Sequence, residues 1–400
     1  MNFDLTDEQM QVRDMVREFA QREAAPHIRE WDTNQTYNRA IIDKMGEAGI
    51  LGLPIPEEYG GLGLDYVSLA LACEEMEYVD TTLRVVLSVH VGLNSLTLLQ
   101  WANEDQKQRF LVPQAQGEKI ATFGLTEPAA GSDAGAIETT ATKDGDDYIL
   151  NGSKMWISLA DVADNFLVFA SLDRAQKHKS LVAFVVERGM EGFTTGTIKG
   201  KLGVRAGNTG DLSFNNVRVP AANRIGEEGE GFKIAMSAID QGRYTVAAGA
   251  TGLCRAALDA SVKYANDRHT FGVPIGKHQL VQQMIANMVA GHEASRLLVM
   301  KAAELKNRGI RNTKETSLAK WYATEAALKA ADDAVQIYGS YGFANDYPVE
   351  RYLRNARGST IYEGTSQIHQ ILQAEYALGY REDKPLSHPQ PAAVGFEDEA

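Results

Sequence analysis

Cysteine is nearly absent: Cys73 and Cys254 are the two in 400 residues, far apart and without neighbouring thiol or imidazole pairs. That excludes a disulfide framework and a cysteine-built zinc site, and both side chains are expected to be buried thiols. No uninterrupted run of about 18 apolar residues occurs. The start, Met1-Asn2-Phe3-Asp4-Leu5, has no basic stretch leading into an apolar core. Neither a spanning helix nor a leader is therefore expected, and the default location is cytoplasmic. A Gly-x-Gly-x-x-Gly following a strand is also missing, which removes support for a nicotinamide-binding Rossmann unit. Positive charge is in deficit: 40 Lys and Arg face 53 Asp and Glu, for a net −13. A general nucleic-acid or anionic-membrane role is disfavoured, although an anionic ligand in a local basic pocket is not. No internal period of about 20–50 residues suggests a solenoid, and no metal site is expected.

What is present is enough apolar sequence, 44% of the chain, for more than one compact core, so two or three domains are expected. Thr6 with Gln9 reads as a capping box, and Val12, Met15, Val16, Phe19 and Ala20 follow at helical spacing. Helical patterns continue through Ile41–Ala48, Val67–Glu77, Leu83–Trp101 and Glu104–Ala115, broken by a Gly- and Pro-rich loop at 54–63. From Ala121 short β-rich runs take over at Tyr148–Leu150, Phe166–Ala170, Leu181–Val186 and Leu212–Val219. Long helical segments return near Phe232–Ala265, His278–Leu305 and Lys314–Tyr338, as in a four-helix bundle. The expected architecture is mainly α with a β domain: a helical domain over 1–120, a β domain over 121–229, a helical bundle over 230–380, and a tail over 381–400. That tail is rich in proline, ends in acidic residues, and is expected to be irregular or draped on a neighbour.

Several polar clusters carry candidate chemistry. Ile361-Tyr362-Glu363-Gly364-Thr365-Ser366-Gln367-Ile368 puts one carboxylate between an aromatic ring and a glycine. Abstracting a proton beside a thioester carbonyl needs a positioned base partly shielded from water, and apolar neighbours raise a carboxyl pKa towards that task. The plainer alternative is a solvated glutamate at a helix start. Leu125-Thr126-Glu127-Pro128-Ala129-Ala130-Gly131-Ser132-Asp133-Ala134-Gly135 offers hydroxyls and close backbone approach to a flat polar heterocycle, or is a turn before a strand. Arg268-His269-Thr270-Phe271-Gly272 sets a cation and a hydroxyl near a helix break, suited to a pyrophosphate; a surface arginine is the alternative. Arg84 and Ser88 lie four apart on one helical face of an apolar segment, where an unpaired cation is costly. Arg84 should be neutralised either by a structural acid, such as Glu75 or Glu77, or by a carboxylate at the far end of a substrate.

Together these clusters closely resemble the two ends of the active site of the acyl-CoA dehydrogenase family, over about Phe3 to Gly379. The resemblance implies an N-terminal helical domain, a middle β domain and a C-terminal four-helix bundle, with FAD between helical and β layers. It implies that Glu363 abstracts the pro-R α-proton while hydride leaves the β-carbon for flavin N5. The backbone N–H of Glu363 and a flavin ribityl hydroxyl would polarise the thioester carbonyl. By the same resemblance Leu125, Thr126, Gly131 and Ser132 line the flavin ring, and Ser132 also reaches coenzyme A. In Asn151-Gly152-Ser153-Lys154-Met155-Trp156-Ile157-Ser158, Trp156 shields the ring, Ile157 lies beside it, and the hydroxyl of Ser158, in place of the commoner threonine, approaches N5. Leu159-Ala160-Asp161 departs from the usual Asn-Gly or Asn-Ala. Arg268, Thr270, Phe271, Gln279, Gln336, Gly339 and Ser340 match residues that hold the FAD of a neighbouring subunit, with Ser340 where glycine is more usual. Thr365 and Gln367 match positions near the adenosine.

A site shared between chains implies a homo-oligomer, in this family commonly a tetramer. Asp240, Arg243, Tyr362 and Gly364 match the coenzyme A and substrate positions, and Gly242 leaves space that a bulkier acyl group could use. Electron-transferring flavoprotein is the implied partner. Glutaryl-CoA dehydrogenases carry an arginine and a serine at the positions of Arg84 and Ser88 for a distal carboxylate, and Arg243-Tyr244 resembles that subgroup too. A dicarboxylic acyl-CoA is therefore the expected substrate, with glutaryl-CoA or a substituted succinyl-CoA such as benzylsuccinyl-CoA as candidates. The alternatives are a short- or branched-chain monocarboxylic acyl-CoA dehydrogenase, an acyl-CoA oxidase with oxygen as acceptor, and a catalytically silent CoA- or flavin-binding protein.

Overall fold

A computed structural model describes residues 4–385 and 387–396; Phe3, where the resemblance begins, and the acidic end of the tail lie outside them. The capping box forms as expected: the Thr6 hydroxyl accepts from Gln9 N–H at 3.2 Å, and the Gln9 side chain accepts from Thr6 N–H at 3.0 Å. It starts α1 (Asp7–Glu23), which buries Val12, Val16, Phe19 and Ala20. Then come α2 (Ile28–Asn34), α3 (Arg39–Glu47), α4 (Tyr66–Val79), α5 (Thr81–Val86), a π-helical stretch (Leu87–Ser95), α6 (Leu96–Trp101), α7 (Glu104–Gln106) and α8 (Val112–Ala115). The column Thr81–Trp101 is long and apolar enough to cross a membrane, but its most apolar stretch is wholly buried inside the protein. Arg84, His90 and Asn94 interrupt its apolar run, which is why the sequence does not read as a span.

The middle of the chain folds as an eight-stranded sheet, ordered β6-β7-β3-β2-β4-β5-β8 with β1 added parallel to β4. The strands are β1 (Ala121–Gly124), β2 (Thr140–Asp144), β3 (Asp147–Ser158), β4 (Asn165–Ser171), β5 (Leu181–Glu187), β6 (Phe193–Thr197), β7 (Thr209–Pro220) and β8 (Arg224–Ile225). Strands alternate their side chains between two faces. On β4, Leu167 and Phe169 join the large core shared with the helices, whereas Phe166, Val168 and Ala170 join a second core on the outer face. That double burial makes β4 and β5 continuous apolar runs. The short strands β1, β2, β6 and β8 escape sequence reading because pairing with distant partners makes them strands.

Three long helices follow, α9 (Gly231–Asp267), α10 (Gln279–Asn307) and α11 (Thr313–Tyr338). The fourth position of the expected bundle is divided between α12 (Val349–Ser359) and α13 (Ser366–Ala377). The break between them holds Glu363 and Gly364 at φ 54 and 94, left-handed values that a helix cannot continue through. The described part of the tail is irregular and packs on helices of its own protomer, with Ala393 buried and Phe396 against the core.

Candidate functional site

The divided fourth helix presents Glu363 to the middle of α9. A left-handed φ on a bulky non-glycine residue is a strained conformation that surrounding contacts must hold. Those contacts are visible: Lys320 Nζ donates to Gly364 O at 2.7 Å, Arg243 Nε donates to Glu363 O at 3.3 Å, and the Ser366 hydroxyl donates to Glu325 at 2.5 Å. Arg243 is held in turn by Asp240 at 3.1 Å, whose other oxygen accepts from Thr313 at 2.6 Å. Glu363 Oε2 is buried without a hydrogen-bond partner among the described residues. Burial raises the Glu363 carboxyl to about 7, against the opposing pull of Arg84, Lys320 and Arg243. Burial likewise lowers the Lys320 ammonium to about 7, with Glu363 opposing.

Gly242 explains how the carboxylate fits. A Cβ at that position would stand 1.8 Å from Glu363 Oε2 and 2.7 Å from Leu93. The room left by Gly242 is thus taken by the base candidate, which corrects the expectation that an acyl group occupies it. Gly242→Ala should move the carboxylate, and a misplacement of about 1 Å can cost roughly 10²-fold in rate. Single-turnover flavin bleaching measures this, and a wild-type rate would mean that the carboxylate works from another position.

Beneath this turn lies Arg84, fully buried. Its Nε donates to Glu77 at 2.5 Å, Nη1 to Ser88 at 3.0 Å and Nη2 to the Tyr362 hydroxyl at 2.6 Å. The other Glu77 oxygen accepts from Thr81 at 2.8 Å. Glu77 is therefore the acid that neutralises Arg84; Glu75 instead pairs with Arg17 and Arg255, each at 2.8 Å. Gly249 makes this possible, since a Cβ there would sit 2.0 Å from the Glu77 carboxylate. Ser88 continues the chain of contacts to Thr245 at 2.7 Å, and Thr245 to the carbonyl of Gly242 at 2.9 Å.

The loop 125–135 is fastened to β3 by a pair that sequence reading missed. Buried Lys154 reaches Glu127 at 2.7 Å and Leu125 O at 3.2 Å, and Met155 N–H donates to Thr126 O at 2.9 Å. Burial lowers the Lys154 ammonium to about 8 against the pull of Glu127. Apolar neighbours of Lys154 in the sequence were the available signal. One extra residue on β3 between Lys154 and Ile157 makes a bulge against β7. A bulge re-aims side chains, and here Trp156, at φ 65, is turned out to 58% exposure while Ile157 is buried. Ser158 pairs with Thr209 next to it, Leu125 is buried, and Gly131 and Ser132 are exposed at the loop tip.

A second group forms at the far end of the helices. The Arg268 guanidinium lies 5.9 Å from the centre of the Tyr341 ring, and Thr270 bonds His278 at 3.0 Å. Phe271 is 96% exposed, and Gln279, Gln336, Gly339 and Ser340 are exposed. Thr365 caps α13 by accepting from Ile368 N–H at 3.3 Å, and Gln367 points to solvent. Among the described residues no hydrogen bond or ring contact joins this group to Trp156 and Ser158. Exposed aromatic rings beside hydroxyls, amides and a guanidinium fit a flat, polar cofactor.

Comparison with known proteins gives the same three-part division of the chain. The acyl-CoA dehydrogenase N-terminal, middle and C-terminal domain families match residues 6–118, 122–217 and 229–378. A short-chain specific acyl-CoA dehydrogenase of Clostridium acetobutylicum is 43% identical over 372 residues, 93% of this chain and 98% of that one. A solved structure of the glutaryl-coenzyme A dehydrogenase glutaryl-CoA complex superposes with a TM-score of 0.93 at 39% identity, covering 95% of this chain and 98% of that one. A chain from a study of the electron transferring flavoprotein of Acidaminococcus fermentans and flavin-based electron bifurcation superposes with a TM-score of 0.93 at 46% identity, over 94% and 100%. The chain belongs to the acyl-CoA dehydrogenase family and is an oxidoreductase of that class.

Proposed function

We propose that the protein carries out FAD-dependent α,β-dehydrogenation of a short-chain acyl-CoA and passes the electrons to an electron-transferring flavoprotein. The observation that carries this reading is the buried, unpartnered Glu363 Oε2 on a strained turn, with its carboxyl raised to about 7. Such a group can take a proton from carbon near neutral pH. FAD, when bound, supplies the hydride acceptor. Leu125, Thr126, Ser132, Trp156 and Ser158 would hold its ring, and Arg268, Thr270, Phe271, Gln279 and Gln336 of another copy its phosphate-bearing end. The chain would then work as a homo-oligomer. Lys320 and Arg243 hold the base turn through its carbonyls, and Arg243 is itself paired with Asp240. The likeness to the chain studied with the Acidaminococcus flavoprotein supports that kind of acceptor.

The short-chain substrate is favoured because Glu77 already balances Arg84, and because the Clostridium relative carries that specificity. A dicarboxylic acyl-CoA is the second reading. A guanidinium has five N–H donors, and the contacts to Glu77, Ser88 and Tyr362 use three. The remaining donors and the likeness to the glutaryl-CoA complex favour a distal carboxylate beside Arg84. Anaerobic titration of flavin absorbance with butyryl-CoA, glutaryl-CoA and benzylsuccinyl-CoA separates them. Bleaching by butyryl-CoA is expected; bleaching by a diacid thioester alone would replace the first reading with the second. Fast peroxide release in air would point to an oxidase.

A further inference from the structure

His369, in the first turn of α13, is a wholly buried histidine with one ring nitrogen unused. The Ser317 hydroxyl of α11 lies 2.8 Å from its Nδ1. Its Nε2 is buried without a hydrogen-bond partner among the described residues. A histidine that only fills a core ordinarily uses both nitrogens, as His90 does: its Nδ1 accepts from Ala121 N–H at 3.0 Å, and its Nε2 lies 3.1 Å from Gln114 O. A buried nitrogen left open costs stability, so what it faces bears on function. His369 Nε2 faces the base turn. A Cβ on Gly364 would stand 3.0 Å from Nε2, 3.2 Å from Cε1 of the same ring and 3.4 Å from Arg243 Nη2. The ring edge is therefore packed on the Gly364 backbone, one residue from Glu363. The carbonyls of Gly364 and Glu363 favour a proton on the imidazole nitrogen nearest them, which makes the Ser317 hydroxyl the donor to Nδ1.

Charge around the turn makes the state of this ring matter. Burial raises the Glu363 carboxyl against Arg84 from α5, Lys320 from α11 and Arg243 from α9. The nearby acids are engaged elsewhere: Glu77 by Arg84, Asp240 by Arg243, and Glu325 by the Ser366 hydroxyl. Burial keeps the Cys73 thiol and the Tyr362 phenol protonated. An imidazole ordinarily titrates near about 6.5, and a charged one would put a fourth cation beside the carboxylate. Burial lowers His369 to about 3, with Arg243 and Lys320 pushing the same way. The ring is thus neutral at any pH near 7. It fills the space behind the turn and excludes water without adding charge, which is what a raised carboxyl requires.

We propose that His369 is a positioning residue for the base: a neutral imidazole, aimed by Ser317, whose Nε2 edge props the Glu363–Gly364 turn from the α13 side and keeps water from the carboxylate. The proposal rests on the dehydrogenase reading. Its test compares the full-length holoenzyme with three variants. His369→Leu keeps bulk without the nitrogens, and His369→Gln returns an N–H to the Nε2 position. Ser317→Ala frees the ring and is the milder change if His369→Leu misfolds. Single-turnover bleaching by butyryl-CoA, or by glutaryl-CoA if that alone bleaches the parent, should slow about 10²-fold in His369→Leu, about tenfold in Ser317→Ala and at most about threefold in His369→Gln, with KM hardly changed. The pH midpoint of bleaching should fall below 7 in His369→Leu and Ser317→Ala, because water reaching Glu363 returns its carboxyl towards the ordinary range. A midpoint unmoved in both, with only the melting temperature lowered, would reduce His369 to packing and overturn the proposal. So would a His369→Gln protein as slow as His369→Leu. If no acyl-CoA bleaches the parent, the dehydrogenase reading fails, and the carboxyl is followed instead through the melting-temperature gap between each protein and its Glu363→Gln form at pH 5 and pH 8. A gap that His369→Leu and Ser317→Ala leave unaltered overturns the positioning role, and one that they diminish upholds it.

Discussion

Glu363→Gln should fold, bind FAD and lose flavin bleaching by acyl-CoA by about 10²–10⁴-fold, the usual worth of a positioned general base. The amide keeps the shape of the side chain and cannot take the proton. In the unaltered protein, bleaching should speed up as pH rises through about 7, because the carboxyl held at that value must be deprotonated to act. The same shift has a consequence for stability with the opposite slope. A carboxyl with its folded pKa raised binds more protons folded than unfolded, so its contribution is full below the unfolded value and is lost as pH rises towards 7. Glu363→Gln should therefore melt at a higher temperature than the parent at pH 8 and at nearly the same temperature at pH 5. Retained bleaching would move the base elsewhere, and an equal melting difference at both pH values would remove the buried-carboxyl account.

Glu77→Gln should be the most destabilising single change around the site. It preserves hydrogen-bonding capacity towards Thr81 and Arg84 but removes the charge that balances a fully buried guanidinium. Breaking one partner out of such a pair costs about 3–5 kcal/mol, because the other charge is left in a poor solvent. The double change Glu77→Gln with Arg84→Met should recover most of the loss, since it removes the stranded cation as well. Denaturant midpoints of the parent, the two single variants and the double variant form the required cycle. A Glu77→Gln protein as stable as its parent would mean that Arg84 is balanced by something other than Glu77. Added glutaryl-CoA that restored the stability of Glu77→Gln, where butyryl-CoA did not, would favour the dicarboxylic reading.

The glycine at 242 and the acids at 75 and 77 show where sequence reading reaches its end. Two residues apart on a helix differ in direction by about 200°. Glu75 accordingly faces Arg17 and Arg255, while Glu77 turns inward to Arg84. Both acids were candidates for Arg84, and nothing local to α4 chooses between them until α5 and α9 are packed against it. Gly242 reads as spare volume in one dimension; in three it is the seat of a carboxylate that lies more than a hundred residues later in the chain. Lys154 and Lys320 looked ordinary for the same reason, because their partners, Glu127 and Gly364 O, arrive from other elements.

By itself the sequence determined what is encoded over one or two turns or strands: the capping box at Thr6, the helical periods of α9, α10 and α11, the β-rich runs of β4 and β5, and the Tyr362-Glu363-Gly364 string. Only the tertiary structure decided which acid neutralises Arg84, what fills the space at Gly242, how the β3 bulge turns Trp156 outward, and that the tail lies along its own helices. The physical reason is range. Backbone dihedrals and side-chain periodicity act between neighbours, whereas burial, charge compensation and steric exclusion depend on segments that meet only when the chain has closed.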